Sequence, residues 1–233
     1  MSCCLCEPGV TRQQHCPPLP KTDTAIYGWL ASLFGMTMQT ALHRKNIMAE
    51  PLAQILLSAP EYLNWEPLQS EKHDFLRGEV FAMTGGTLRH NRATLRSMMA
   101  LESHLAGSPC KVFSGDVKVA VNVTEHWFYP DVVVTCSAQD LSDMGAVAIS
   151  EPVLILEVLS PSTAAYDRGQ KFISLQKLAS LKEYALLDVE SARLEVYRRN
   201  AAARFELFVF EGLDCEAELA SIDWRGLVAA LLD

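Results

Sequence analysis

The sequence predicts a mixed α/β domain, two observations support that prediction, and a third bears on the chemistry. Apolar runs of strand length alternate with longer segments of helical periodicity, in the order strands, helix, three strands, helix, strands. The runs become more uniformly apolar toward residues 152–160, as expected for strands buried on both faces of a sheet. Neither GxxxxGK[ST] nor GxGxxG occurs, so the usual phosphate-binding loop of nucleotide-dependent enzymes is missing.

The chain divides into a leader and one domain. With 233 residues, 49% of them apolar, it can bury a large core. Residues 1–47 contain cysteines, prolines and isolated apolar residues without a sustained period, and we expect a poorly ordered leader there. The domain is predicted over residues 48–233. A start site assigned too far upstream would explain the leader, with Met48 as the natural start.

The predicted elements follow in order. Two short strands separated by Gly78 are expected in residues 73–85, and a helix in 87–105 has apolar residues at helical spacing. The apolar residues of that helix are Leu88, Leu95, Met98, Met99 and Leu101. Strands are predicted at 110–122, 129–136 and 152–160, a helix at 164–181, strands at 183–189, 193–200 and 205–212, and a short helix at 223–233.

Charge and cysteine content narrow the possible partners and compartment. The net charge of -8 excludes a protein coated in positive charge, although a local basic groove remains possible. The scattered Cys110, Cys136 and Cys215 predict reduced, mostly buried thiols of a cytoplasmic protein. No run approaches the ~20 apolar residues that span a bilayer, so no membrane partner is expected.

One carboxylate lies in the most apolar strand. Glu157 is surrounded by Val, Leu and Ile, where an ionised group costs several kcal/mol unless it is paired or binds a metal. Asp131 follows Pro130 at the start of the preceding strand, so neighbouring strands could bring both carboxylates together. Oxygen ligands of this kind suit Mg²⁺ or Mn²⁺. The alternatives are a solvated edge position for Glu157 and a turn cap for Asp131.

Two further charged residues are candidates for the same site. Lys171 shares a helix face with Leu175 and Leu178, which directs its amine toward the sheet. The alternative for Lys171 is a surface pair with Asp167. Glu79 follows Gly78 and is a possible fourth member, or else a surface carboxylate beside a turn.

The first long helix contains a basic stripe. Arg89, Arg92 and Arg96 recur at helical spacing and could contact phosphates, or form a solvated face. His90 lies among them and is a candidate assisting residue, although such a histidine is more often a surface or core residue.

Several motifs together resemble a known family. In order and spacing, "RGEVFAMTGGTLRHNR", "PDVVV", "EPVLILEVLSPSTAAYDRGQK" and "LKEYALLDVESARLEVYRR" resemble the Uma-two family, classed with restriction endonucleases in the PD-(D/E)XK nuclease superfamily. The resemblance covers roughly residues 60–230. It implies a restriction-endonuclease-like mixed central sheet flanked by helices, with a β-rich start, and Mg²⁺-dependent DNA cleavage.

The resemblance also implies roles for individual residues. Asp131 and Glu157 look like the metal carboxylates, and Glu79 looks like the acidic residue of the first region. The superfamily's ExK pattern would put lysine at the position of Leu159, so Lys171 looks like its substitute from the helix, with Gln170 beside it as a possible assistant.

The predicted function is therefore metal-dependent hydrolysis of DNA phosphodiester bonds by a homodimer, since two sites are needed to cut both strands. One alternative is a noncatalytic nucleic-acid-binding or regulatory module on a nuclease fold. Another is hydrolysis of a different phosphate ester.

Overall fold

The computed structural model describes residues 56–83, 86–122 and 125–232, and the fold is given for these residues. The leader predicted over residues 1–47 lies outside them, so that prediction and the boundary at 48 stay predictions. In the described ranges, no helix is both long enough and apolar enough to cross a membrane.

Helices form a minor part of the described chain, and one long helix dominates. The α-helices are α1 (Ala59–Trp65), α2 (Leu88–His104), α3 (Ala164–Tyr166) and α4 (Phe172–Leu175). A π-helical turn, Asp167–Lys171, joins α3 to α4, and short 3₁₀ turns lie at Glu66–Leu68, Ala220–Ile222 and Val228–Leu231. Helix α1 begins at a capping box in which the side chains of Ser58 and Glu61 each accept a hydrogen bond from the other's backbone N–H.

The strands are β1 (His73–Leu76), β2 (Glu79–Ala82), β3 (Lys111–Ser114), β4 (Lys118–Asn122), β5 (His126–Phe128), β6 (Val132–Thr135), β7 (Ala148–Ile149), β8 (Pro152–Val158), β9 (Glu183–Asp188), β10 (Arg193–Arg199), β11 (Phe205–Glu211), β12 (Glu216–Leu219) and β13 (Trp224–Leu227). They form a six-stranded sheet in the order β11-β10-β9-β8-β6-β3, a five-stranded sheet in the order β2-β1-β5-β4-β7, and the pair β12-β13. In the larger sheet only β8 and β9 are parallel, and the α3–α4 crossover joins them. The mixed sheets flanked by helices confirm the predicted fold class.

The centre of the larger sheet is covered on both faces. Leu154 and Leu156 of β8 pack in the same cluster as Ala93 and Leu101 of α2. Ile155, which points to the opposite face, packs in the cluster that contains Leu175 of α4. Because side chains alternate along a strand, Glu157 lies on the same face as Ile155, toward the α3–α4 crossover.

The prediction of a single strand over residues 110–122 was wrong. The structure has two strands there, β3 and β4, which belong to different sheets. Gly115 lies in the turn between them, and a Cβ at that position would be 3.2 Å from the backbone oxygen of Pro130. The chain therefore turns tightly against Pro130. The alternation of apolar and polar residues continues through this turn, so the sequence pattern does not show that the chain passes from one sheet to the other.

Two predicted helices differ in extent from the observed ones. The helix predicted over residues 164–181 ends at Leu175, and Leu178 and Leu181 are buried in the irregular segment that follows. In the tail, where a helix was predicted over 223–233, the structure has β13 and a 3₁₀ turn. In both places buried leucines contribute to the core without α-helical backbone, so apolar periodicity alone did not predict the backbone conformation.

The prediction of reduced thiols was wrong for two of the three scattered cysteines. Cys110 and Cys136 form a disulfide, with a Cα–Cα distance of 4.0 Å. They are neighbours because β3 and β6 pair in register, with Lys111 opposite Thr135. A pairing across 26 residues of sequence is not visible in cysteine spacing. Cys215 is a free, half-buried cysteine.

Candidate active site

The two carboxylates predicted from adjacent strands lie side by side. Strands β6 and β8 are antiparallel with Val132 opposite Leu156, which places Asp131 opposite Glu157. The backbone N–H of Asp131 donates to Glu157 Oε2 at 3.2 Å, and the N–H of Val158 donates to Asp131 Oδ2 at 2.8 Å. Strand pairing and these two hydrogen bonds fix both carboxylates at the end of the sheet.

Lys171 reaches this pair from the crossover. Its Nζ lies 2.8 Å from Glu157 Oε1, 3.8 Å from Asp74 Oδ2 and 3.9 Å from Asp167 Oδ1. The side chain is 4% exposed, so its charge is held inside the protein. The structure thus brings together Asp131, Glu157 and Lys171, the three residues on which the sequence-based interpretation depended.

A third buried carboxylate, Asp74, was missed in the sequence. It lies in β1 of the smaller sheet, where its Oδ1 accepts a hydrogen bond of 2.8 Å from the N–H of Tyr129. The hydroxyl of Tyr166 donates to its other oxygen at 3.4 Å. Asp74 follows the polar residues "EKH", so it does not interrupt an apolar run as Glu157 does, and no comparable signal marks it in the sequence.

The π-helical turn positions the fourth carboxylate. Asp167 begins this turn and Lys171 ends it, and both side chains are buried. The hydroxyl of Tyr184, in β9, donates to the backbone oxygen of Asp167 at 3.0 Å and anchors the turn to the sheet. Single π-helical turns inside helices are frequent at functional sites.

These side chains surround a cavity of about 260 Å³. Its acidic and basic lining residues are Asp74, His90, Asp131, Glu157, Asp167 and Lys171. A neighbouring hollow of about 400 Å³ shares His90 and Asp131 with the cavity and extends along α2 past Asn91 and Thr94. The cavity and this hollow therefore adjoin at His90 and Asp131.

His90 borders both spaces. Its Nε2 is 3.4 Å from Asp131 Oδ2, and its side chain is 20% exposed. Thr87 caps the helix start by accepting a hydrogen bond from the N–H of His90. A Cβ at Gly86 would lie 2.8 Å from His90 Nδ1, so a glycine there leaves room for the imidazole.

The cavity has more acid groups than cations. Burial raises the pKa of Glu157 well above its usual range, against the opposing effect of Lys171. Burial likewise raises the pKa values of Asp74 and Asp167. For Lys171, burial would lower the pKa, but Glu157, Asp74 and Asp167 together outweigh it and raise the pKa. A hydrogen bond to Asp131 raises the pKa of His90.

Other residues proposed from the sequence lie elsewhere. Glu79 is exposed, two residues along β2 from the cavity-lining Phe81, and it does not line the cavity. Gln170 lines a separate small hollow beside Leu76 and Arg77. The structure therefore does not bring Glu79 or Gln170 into the cluster.

The arginine stripe also lies outside the cavity. None of Arg89, Arg92 and Arg96 is among its lining residues, and Arg89 Nη1 is 2.7 Å from Glu190 Oε2. A role for the three arginines in phosphate contact stays a prediction.

The donor set fits a hard divalent cation that keeps part of its water shell. In the described ranges, no three His, Cys, Asp or Glu side chains form a ready-made ion cage. Mg²⁺ seldom needs one, since one or two carboxylates plus water and substrate oxygens suffice. Glu157 Oε1 is buried and has no aligned hydrogen bond, although the Lys171 ammonium lies 2.8 Å away. Asp131 and Glu157 would be the ligands.

Comparisons with known proteins place the chain in a family and agree with its fold. A family model described as "Uma2: Putative restriction endonuclease" matches residues 59–222. "Uncharacterized protein slr1290" from Synechocystis sp. is 36% identical over 166 residues, which are 71% of this chain and 86% of the relative. "Uncharacterized protein sll1609" from the same organism is 32% identical over 165 residues, which are 71% and 93% of the two chains.

A solved structure shares the fold. The structure, described as that of "a putative nuclease belonging to DUF820 from Anabaena variabilis ATCC 29413", superposes with a TM-score of 0.64. It covers 76% of this chain and 97% of its own, at 16% sequence identity. At that identity the likeness shows the fold alone.

Proposed function

The chain belongs to the Uma2 family, described as "Putative restriction endonuclease", and from this premise we propose that it is a metal-dependent endonuclease that hydrolyses DNA phosphodiester bonds. The observation that carries the proposal is the meeting of Asp131 and Glu157 on paired strands, with the Lys171 ammonium 2.8 Å from Glu157. Carboxylates and a buried amine in one cavity are the groups that phosphodiester hydrolysis requires.

In this proposal Asp131 and Glu157 hold one Mg²⁺ or Mn²⁺. The ion would supply Lewis acidity and a water of lowered pKa when bound. Lys171 stabilises negative charge that develops on the phosphoryl oxygens, because its buried ammonium is held in place beside Glu157. Asp74 and Asp167 keep Lys171 charged and oriented, and Asp74 takes the place that the sequence-based interpretation gave to Glu79.

Two further parts of the proposal concern the substrate and the assembly. DNA would enter along the hollow beside α2, while Arg89, Arg92 and Arg96 would contact the backbone away from the scissile bond. We propose a homodimer, because cutting both strands together requires two sites.

Plasmid cleavage tests the proposal. Purified protein is incubated with supercoiled plasmid and Mg²⁺, Mn²⁺ or EDTA, alongside Asp131→Asn and Glu157→Gln. We expect metal-dependent nicking by the wild type and a loss of about 100-fold or more in each variant, in line with the removal of one key electrostatic group. Glu79→Gln, an exposed carboxylate outside the cavity, is the matched control and should cleave at the wild-type rate.

Other outcomes point elsewhere. Cleavage that survives EDTA or both cavity substitutions would contradict the proposal. DNA binding without cleavage under any metal would favour the noncatalytic module, and activity confined to small phosphodiesters would favour a different phosphate ester. Circular dichroism of each variant establishes that a loss of activity is not a loss of fold.

A further inference from the structure

Strand β11 is the outer strand of the larger sheet and is unusually apolar for that position. All seven of its residues pair with β10 without a break in register, and its other edge has no strand partner in the described ranges. Leu207, Phe208 and Val209 are nevertheless 49%, 37% and 42% exposed. Leu213, two residues beyond the strand, is also exposed.

The opposite edge of the same sheet shows how an edge is normally protected. Strand β3 has four residues and begins with the exposed Lys111. Short length and lysine are devices by which proteins prevent edge-to-edge association. Strand β11 is longer, contains neither lysine nor proline, and has no bulge. A long, regular apolar edge is a template for pairing with another strand.

The positions of the exposed side chains favour addition of a strand to the edge over docking of a helix or a loop. Leu207 and Val209 point to one face of the sheet, whereas Phe208 points to the other. A helix or loop packed on one face would leave the other face exposed. A strand added to the edge would extend the cover on both faces and would satisfy the outward backbone groups.

We propose that the added strand is β11 of a second copy of this chain, antiparallel across a twofold axis at Phe208. In that register Leu207 faces the partner's Val209, and Phe208 faces its own counterpart. Each glutamate of the strand then faces a phenylalanine, with Glu206 opposite the partner's Phe210. A slip of one residue would turn opposed side chains to different faces of the sheet, and a twofold axis at Leu207 or Val209 would leave five residues of each strand opposite one another instead of seven.

This inference identifies β11 as the surface through which the proposed homodimer forms. It does not depend on catalysis. The two larger sheets join into one continuous sheet, and the cavity lies several strands away, between β6, β8 and the crossover. Failure of the nuclease activity would therefore leave this inference untouched, whereas a monomeric protein would refute the proposed homodimer but not the proposed hydrolysis.

Light scattering coupled to size-exclusion chromatography tests the interface on the full chain. The wild type should elute at twice its chain mass of 25.8 kDa, and Val209→Lys should halve the measured mass while it retains the wild-type circular dichroism. Met144→Lys, at a residue 74% exposed in a loop away from β11, is the control and should stay dimeric. A monomeric wild type, or a Val209→Lys variant that stays dimeric, would overturn the proposal.

Cross-linking tests the register without relying on a destabilising charge. Residues directly opposite in an antiparallel pair approach closely enough for a disulfide, so Phe208→Cys should form a covalent dimer on mild oxidation. In Glu206→Cys the two new thiols are offset by four residues, roughly 13 Å, and should not join. Both are compared with the wild type to subtract native thiols. Equal cross-linking of the two variants would contradict a twofold axis at Phe208.

Discussion

Two groups of buried charges, one beside β9 and β10 and the other in the cavity, differ in how well their charges are matched. In the first group, Glu183 is fully buried, and its carboxylate accepts a hydrogen bond of 2.6 Å from Arg198 Nε. The backbone N–H groups of Ala220 and Ser221 complete its partners. Here each buried acceptor is matched by a donor, so the group links β9, β10 and the turn after β12 into one unit.

In the cavity, by contrast, four carboxylates share one ammonium. Asp74, Glu157 and Asp167 all lie within 4.0 Å of Lys171, and Asp131 adjoins Glu157. A cluster in which every buried carboxylate has a donor can be explained by its contribution to folding. A cluster with more buried carboxylates than cations instead lowers the free energy of unfolding. Groups of this kind concentrate at functional sites, where a bound cation or substrate supplies the missing charge.

The largest expected difference concerns stability. Arg198→Leu would leave Glu183 buried without its guanidinium, and we expect it to lower the free energy of unfolding by about 3–5 kcal/mol. Glu157→Gln removes surplus charge, so its effect on stability should be much smaller. Urea unfolding of both variants without metal measures this contrast.

Arg225→Leu is the matched control for Arg198→Leu. Arg225 contacts Glu218 in the same network at 2.6 Å, but its side chain is 69% exposed. An exposed pair contributes about 0–1 kcal/mol, so the variant should unfold almost as the wild type does. If Arg198→Leu and Glu157→Gln lowered the free energy of unfolding equally, the distinction between the two clusters would be wrong.

A smaller effect should appear in the pH dependence. Because burial raises the pKa of Glu157 in the folded state, the folded chain binds a proton there more readily than the unfolded chain, in which a glutamate titrates near about pH 4.3. The wild type should lose stability relative to Glu157→Gln as the pH rises from 4.5 to 8, by about 1.4 kcal/mol per unit of pKa difference. Thermal unfolding of both proteins in EDTA measures the change. A wild type that gains stability relative to Glu157→Gln as the pH rises would show a depressed pKa instead.

The sequence was most informative where a charge interrupts an apolar strand. Glu157 could be recognised because a buried ionised group needs a partner, and Asp131 followed because adjacent strands align their ends. Lys171 followed from helical spacing relative to Leu175. Predicting the cluster of these three residues therefore required only local sequence patterns and the pairing of one strand with its neighbour.

Features that depend on distant pairing could not be predicted in the same way. Asp74 joins the cavity from the smaller sheet, and no local pattern indicates where that sheet packs. In α2, Leu88, Leu95 and Met99 are exposed while Ala93, Ser97 and Leu101 are buried, because small residues allow close approach to the larger sheet. The Cys110–Cys136 bridge likewise depends on the register of β3 with β6.

The most direct measurement is a crystal structure of the protein grown with Mn²⁺, with anomalous scattering used to locate the ion. The surplus of acid groups in the cavity leads us to expect an anomalous peak in the cavity beside Asp131 and Glu157, and no such peak in Asp131→Asn crystals. A cavity without a peak at saturating Mn²⁺, or a peak that persists in Asp131→Asn, would contradict the account.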